Sequence, residues 1–193
     1  MQKIALAGRT AYLSDPAGEP ADFVRRLIRL GHESVLEHAT LSVIVTCDRG
    51  LTHEIVRHRL ASYTQESTRF CNYARERLGS NVVYVSPSGG IALDAKTSQA
   101  DAAAIKAEWH LACLDAEAHY NRMIELGASP QIARSVLNNS TKARIAITMN
   151  IREWRHFFKL RHAPDAHPQM RELTEIMLPA FKDVAPVVFD DIE

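Results

Sequence analysis

The sequence has no excess of either charge: 23 lysines and arginines balance 23 aspartates and glutamates over 193 residues, for a formal net charge of +0. That balance argues against a dedicated nucleic-acid binder, whose affinity rests on a basic surplus. Cysteine is scarce. The three cysteines, Cys47, Cys71 and Cys113, are odd in number and scattered, with no CxxC pair, so neither a disulfide framework nor a thiolate zinc site is expected. They read instead as small, partly buried residues. No apolar run approaches membrane-spanning length, and MQKIALAGRT at the start lacks the long apolar core of a signal peptide. A cytoplasmic chain is the expectation. Repeats, low-complexity tracts and linkers are also missing, which fits one domain over residues 1–193, or one compact subunit of an oligomer.

What is present is a series of short periodic segments. After a turn over Pro16 to Pro20, Phe23, Val24, Leu27, Ile28 and Leu30 recur at helical spacing, and Gly31 is placed to end that helix. LSVIVT at 41–46 reads as a mostly buried strand, and Leu51 to Leu60 as a helix delivering Glu54, Arg57 and His58 to a hydroxyl-rich loop. NVVYVS at 81–86 has strand composition, followed by turn chemistry at Pro87 to Gly90. From about Ala102 to Leu126, Ile105, Trp109, Ala112, Ala116, Tyr120, Met123 and Ile124 trace one face of a long helix ended by Gly127. Ser129 and Pro130 form an N-cap and first-turn pair for a helix carrying Arg134. Ala143 to Met149 alternates as a strand. Asn150 then caps a helix, with Glu153 completing an Asn-led capping box, and that helix carries Trp154, Phe157 and Phe158 inward and Arg161 to its far end. A last amphipathic helix runs from about Pro168 to Val184, with a bend expected at Pro179. The class is α+β: a helix-rich subunit around a modest mixed sheet.

The stretch with most chemical content is RHRLASYTQESTR, from Arg57 to Arg69. Three guanidiniums so close repel one another unless an anion joins them, and arginine suits planar, bidentate capture of phosphate. Ser62, Thr64, Gln65, Ser67 and Thr68 follow with no hydrophobic periodicity, so this is no amphipathic helix, and its polar groups need water or a ligand. A nucleotide supplies such partners. THEIVRH at 52–58 superficially matches a zinc-protease helix, but His53 and His58 are five apart and diverge around a helix, so no metal is expected there. Glu54 and His58, four apart, suit an ordinary side-chain contact.

Arg57, His58 and Arg59, then seven residues and Ser67, resemble the RHR-x7-S signature of the flavin-dependent thymidylate synthases. HESVLEH at 32–38, THEIVRHRLASY at 52–63, the Ala133-Arg134 pair and FFKLRH at 157–162 fall in the order of that family. The resemblance implies conversion of dUMP to dTMP with tightly bound FAD, NADPH as reductant and methylenetetrahydrofolate as carbon donor, in a homotetramer with shared sites. It implies dUMP contacts from Glu54, Arg57, Gln65, Glu66, Ser67, Thr68, Arg69, Arg134 and Arg161, with Arg134 reaching a neighbouring subunit's nucleotide. It implies flavin contacts from His32, Ser34, Arg57, His58, Arg59, Gln65, Asn150, Ile151, Arg152 and His156. Arg161 is the catalytic residue it implies, set against the uracil edge to activate C5, since no cysteine nucleophile lies in the motif. Ser67 has no evident base to activate it and is assigned to binding. Two positions depart from the pattern: His156 stands where asparagine is familiar, and Phe70 where tyrosine is frequent. Two alternatives stand beside this: a relative that delivers a hydroxymethyl group to dUMP, and a non-enzymatic nucleotide- or RNA-binding module. The second is disfavoured by the neutral charge and the missing aromatic stacking platform.

Overall fold

A computed structural model of the chain describes residues 1–13, 18–74, 79, 81–87, 89 and 97–193. In chain order the elements are helix α1 (Gln2–Tyr12), helix α2 (Pro20–Arg29), a 3-10 segment (Glu33–His38), strand β1 (Thr40–Asp48) and helix α3 (Arg49–Ile55). Strand β2 (Ala61–Gln65), helix α4 (Gln99–Glu125) and helix α5 (Pro130–Ala133) follow, the last running into a 3-10 turn (Arg134–Val136). Strand β3 (Lys142–Asn150), helix α6 (Ile151–Arg161) and helix α7 (Pro168–Val184) complete the chain. The strands make a small antiparallel sheet in the order β1-β3-β2, and the fold is the helix-rich α+β class expected.

Two compact units divide the chain: Met1–Val43 with His58–Ser62 and Ile147–Glu193, and Ile44–Arg57 with Tyr63–Ala146. In the first unit the core is aromatic. Asn150 Oδ1 accepts from the Glu153 amide at 2.8 Å and starts α6, Glu153 faces the positive end of the helix, and Lys159 and Arg161 lie in its last turn. The apolar spacing of Ile151, Trp154, Phe157 and Phe158 then puts one face of α6 inside. Trp154 meets Phe181 of α7 edge-on at 4.8 Å between centroids, and Phe158 meets Phe181 at 5.0 Å. Helix α1 packs on α2 at Gly8. A Cβ there would come within 2.6 Å of Leu27 Cδ1. Gly31, with a φ of +72°, ends α2 as expected.

Arg155 is buried in this unit, and its Nη1 and Nη2 donate to the Asp191 carboxylate at 2.6 and 2.7 Å, with the Val188 carbonyl as a further acceptor. The Arg155 guanidinium holds the Asp191 carboxyl below its ordinary range, against a smaller opposing push from burial. A depressed carboxyl contributes stability that is present above its unfolded pKa, about 4, and lost as pH falls through the folded value. Asp191→Asn is therefore expected to cost about 1–2 kcal/mol at neutral pH, the modest figure reflecting a half-exposed carboxylate. Urea unfolding at neutral and acid pH checks this: the gap between wild type and variant closes below about pH 4, and a constant gap contradicts it.

In the second unit α4 turns Cys113, Ala116 and Tyr120 inward. Tyr73, Val82, Tyr120 and Ala133 form the core, and the Tyr73 amide donates to the Tyr120 hydroxyl at 3.2 Å. Asp48 caps α3, its Oδ1 accepting from the Leu51 amide at 2.7 Å.

Several local expectations are corrected. The helix expected over Leu51 to Leu60 stops at Ile55: beyond it Val56, Arg57, Arg59 and Leu60 are exposed and only His58 is buried, and the Tyr63 hydroxyl takes the orphan Ile55 carbonyl at 2.8 Å. Ala61–Gln65, expected in a loop, is strand β2: Ala61, Tyr63 and Gln65 turn inward while Ser62 and Thr64 face out. Strand β1 is alternating, not mostly buried, with Ser42, Ile44 and Thr46 exposed. NVVYVS makes a single bridge, Tyr84 to Thr141, because the opposite chain turns at Asn138 to Thr141. On α4, Ile105 and Ala112 are exposed, and Cys113 holds the inward place. Ser129 makes no side-chain cap bond, and Arg134 sits in a 3-10 turn. The turns expected at Pro16 to Pro20 and Pro87 to Gly90 lie partly outside the described residues.

Candidate active site

In the first unit α6 lines up the site residues. His58, 5% exposed, lies just past the end of α3 in sequence and packs against α6. Its Nδ1 is 3.2 Å from Glu153 Oε1, and its Nε2 is 3.1 Å from Arg161 Nε, which donates. Phe157 meets the ring edge-on at 4.9 Å, and the His156 ring lies at 5.7 Å. Burial lowers the His58 pKa below its ordinary value, Glu153 pulls it up, and Arg161 and His156 push it down further. Arg161 can only donate, so Nε2 carries the lone pair and the imidazole is neutral, with Nδ1–H toward Glu153, a tautomer assigned from its hydrogen bonds.

Beside this group is a cavity of about 550 Å³ lined by Glu33, Glu37, Leu60, Asn150, Arg152, Glu153, Arg155, His156 and Lys159. Arg152 Nη1 donates to Glu37 Oε1 at 2.6 Å, and Arg152 and Lys159 stand 3.7 and 3.9 Å from Glu33. His32 and Ser34 are exposed at the 3-10 segment, which packs on α6. Arg59 is exposed as well. Ile151 is buried, and its amide donates to the Ala39 carbonyl at 2.9 Å, so only its backbone neighbours face outward.

In the second unit a different subset meets. Thr68, 4% exposed, accepts from Arg134 Nη1 at 3.2 Å, and Ser67 Oγ accepts from the Arg69 amide at 3.3 Å. Residues 67–71 form a tight turn, the Ser67 carbonyl accepting from the amides of Phe70 and Cys71. Arg69 and Arg134 are exposed around it, and the Arg69 guanidinium lies over the Phe70 ring at 5.6 Å. Gln65 Nε2 donates to Thr52 Oγ1 at 3.1 Å. Glu66 is bound by Lys142 Nζ at 2.9 Å and by the Tyr73 hydroxyl at 3.0 Å. Burial pushes the Glu66 carboxyl up, but those two donors outweigh it and the net shift is down. Glu54 is half-buried and Arg57 exposed.

Sequence reasoning missed Glu153. It reads as half of a capping box, and the Asn150 half is present, but the Glu153 carboxylate turns to His58. Nothing in the spacing between 58 and 153 signals that pairing; the burial of both residues does. His58, Glu153 and His156 also bring possible metal-ligating atoms within 4.8 Å of one another. In this structure both His58 nitrogens are engaged in hydrogen bonds, Nδ1 with Glu153 and Nε2 with Arg161.

One unit has hydroxyls and arginines grouped on a tight turn, and the other an arginine held by a neutral histidine beside a charged cavity, groups chemically suited to an anionic small molecule. The sequence model of the family described as thymidylate synthase complementing protein matches residues 1–187, and the chain belongs to that family. A relative from Geobacter sulfurreducens is 35% identical over 198 residues, covering 97% of this chain and 80% of its own. Relatives from Mycobacterium bovis and Mycobacterium tuberculosis are 37% identical over 201 residues, covering 98% of this chain and 78% of theirs. Each of these relatives is named flavin-dependent thymidylate synthase. The resemblance carried by Arg57, His58, Arg59 and Ser67 is borne out.

Proposed function

We propose that this chain is a flavin-dependent thymidylate synthase that converts dUMP to dTMP, taking the carbon from methylenetetrahydrofolate, with FAD as hydride carrier and NADPH as reductant. The observation that carries the reading is the family match over residues 1–187, which includes the whole RHR-x7-S signature. The cavity beside α6 offers groups a flavin nucleotide could use: Asn150 and His156 offer hydrogen bonds, Leu60 gives an apolar wall, and Arg152 and Lys159 would take a diphosphate in exchange for their present partners Glu33 and Glu37. His32, Ser34, Arg57, His58, Arg59 and Gln65 are the further flavin contacts of this reading. FAD, when bound, supplies hydride chemistry that no side chain here has.

The chain's own residues bind and polarise. Arg69, Arg134, Ser67 and Thr68 take the nucleotide phosphate, with Glu54, Arg57 and Gln65 framing the rest. Glu66, already neutralised by Lys142, supports this turn from behind. Arg161 lies at the pyrimidine edge and stabilises negative charge developing at N3, which makes C5 electron-rich without a covalent nucleophile. The cysteines fit this division of labour: burial, with a smaller push from Asp48, drives the Cys47 thiol up to about 12, so it is no thiolate at neutral pH. A homotetramer with shared sites, one functional domain per chain and a cytoplasmic setting belong to the same reading.

Arg134→Ala is expected to raise the dUMP KM about tenfold with kcat within a few-fold, since a phosphate contact made equally in ground and transition states is removed. Steady-state kinetics in dUMP check it, and an unchanged KM contradicts the phosphate role. The reading as a whole is tested by purification: a flavin absorption band that stays with the protein and bleaches on adding NADPH supports it, and a colourless protein that FAD does not reconstitute overturns it.

A further inference from the structure

Glu153 occupies the first turn of α6, yet its carboxylate is spent on a ring from a distant part of the chain. Its side chain is 10% exposed and that of His58 3%, so water competes little for the contact. A carboxylate only accepts, so it pairs with His58 through Nδ1–H and leaves the Nε2 lone pair on the other side of the ring. There Arg161 Nε donates, at 3.1 Å. The opposite tautomer would set an N–H against the Arg161 N–H and leave the Glu153 carboxylate facing a lone pair. Glu153, His58 and Arg161 thus form a chain in which each hydrogen bond fixes the sense of the next.

We infer that Glu153 is a positioning residue, which holds His58 in the Nδ1–H tautomer and through that ring fixes the Arg161 guanidinium. The inference rests on the proposed role of Arg161 for its effect on turnover, but the tautomer itself does not depend on that role. Glu153 lines the cavity beside α6, but the role inferred for it runs through His58 and not through the reacting atoms. Protonating His58 would turn Nε2 into a donor and release Arg161, so activity falls on the acid side as the ring titrates. Glu153, Arg161 and His156, which act on the charge of the ring, lie on α6. Glu153 favours the imidazolium and the other two oppose it.

The test uses Glu153→Met, which keeps the side-chain volume and removes the acceptor, and Glu153→Gln, which keeps an acceptor oxygen. Long-range proton–nitrogen NMR of the His58 ring in the unliganded wild type is expected to show the proton on Nδ1. Finding it on Nε2 overturns the inference without any variant. In Glu153→Met the ring is expected to populate both tautomers and kcat to fall roughly tenfold or more, with the dUMP KM within about threefold, because Arg161 is misplaced and not lost. The acid limb of its kcat profile is expected to move to lower pH, a shift that a merely structural role would not produce. Glu153→Gln is expected to keep the Nδ1–H tautomer and most of the rate. A single Nδ1–H tautomer, unchanged kcat and an unmoved acid limb in Glu153→Met overturn the inference. A wild type that forms no dTMP instead overturns the functional reading, and the tautomer measurement then judges Glu153 alone.

Discussion

Replacing Arg161 with alanine is expected to lower dTMP formation by roughly 100- to 1,000-fold, the range seen when one preorganised donor to a developing oxyanion is removed. The argument runs from placement. Arg161 is the last residue of α6, a helix anchored by the fully buried Trp154, Phe157 and Phe158, so its backbone is held in place. Its Nε is committed to the neutral His58 ring at 3.1 Å, which orients the guanidinium plane without cancelling its charge. An arginine held this way needs no reorganisation when negative charge builds on a pyrimidine edge. Since the interaction strengthens in the transition state, the loss belongs in kcat more than in KM. Arg161→Lys retains the charge but loses the planar fork, and is expected to recover only part of the rate. Turnover within a few-fold of wild type in Arg161→Ala, measured at saturating dUMP, contradicts the activation role.

Phe158→Ala is expected to be the most damaging stability change. The ring is fully buried at 0% exposure and meets Trp154, Phe157, Phe181 and Phe189, which come from α6, α7 and the segment beyond it. Truncation removes the transfer energy of the ring and leaves a cavity whose walls are themselves rigid aromatics, for a cost of about 3–5 kcal/mol. At roughly 2–4 °C per kcal/mol for a chain of this size, the thermal midpoint falls on the order of 10 °C. Urea unfolding followed by tryptophan fluorescence reports it directly, because Trp154 is in contact with the deleted ring. A loss below about 1 kcal/mol would mean that the cluster re-packs into the space, contrary to the close-packed core described here.

The sequence was most readable where one period dominates. Ile145, Ile147 and Met149 alternate as a strand, and Trp154, Phe157 and Phe158 recur as a helix, and both elements form where that spacing places them. It was least readable where polar residues carry the period. In Ala61–Gln65 the strand alternates serine and threonine with residues that are only half-buried, so no apolar signal marks it. In α4 the inward residue is Cys113 rather than a large aliphatic, and the exposed Ile105 misleads the face. The same limit applies to the site. The residues of the RHR-x7-S signature are visible as a string, but the partners that set their chemistry are remote: Glu153 for His58, Lys142 for Glu66, Arg134 for Thr68. Such pairings depend on which buried polar groups find each other, and local spacing does not encode that.

The central claim is that dUMP is methylated. The direct measurement is a mass spectrum of the nucleotide formed when purified protein is incubated anaerobically with dUMP, FAD, NADPH and methylenetetrahydrofolate. A product with the mass of dTMP, whose appearance depends on the folate and on Arg161, is the predicted result. Unchanged dUMP beside a bound, reducible flavin, or a product with the mass of a hydroxymethyl nucleotide, would contradict it.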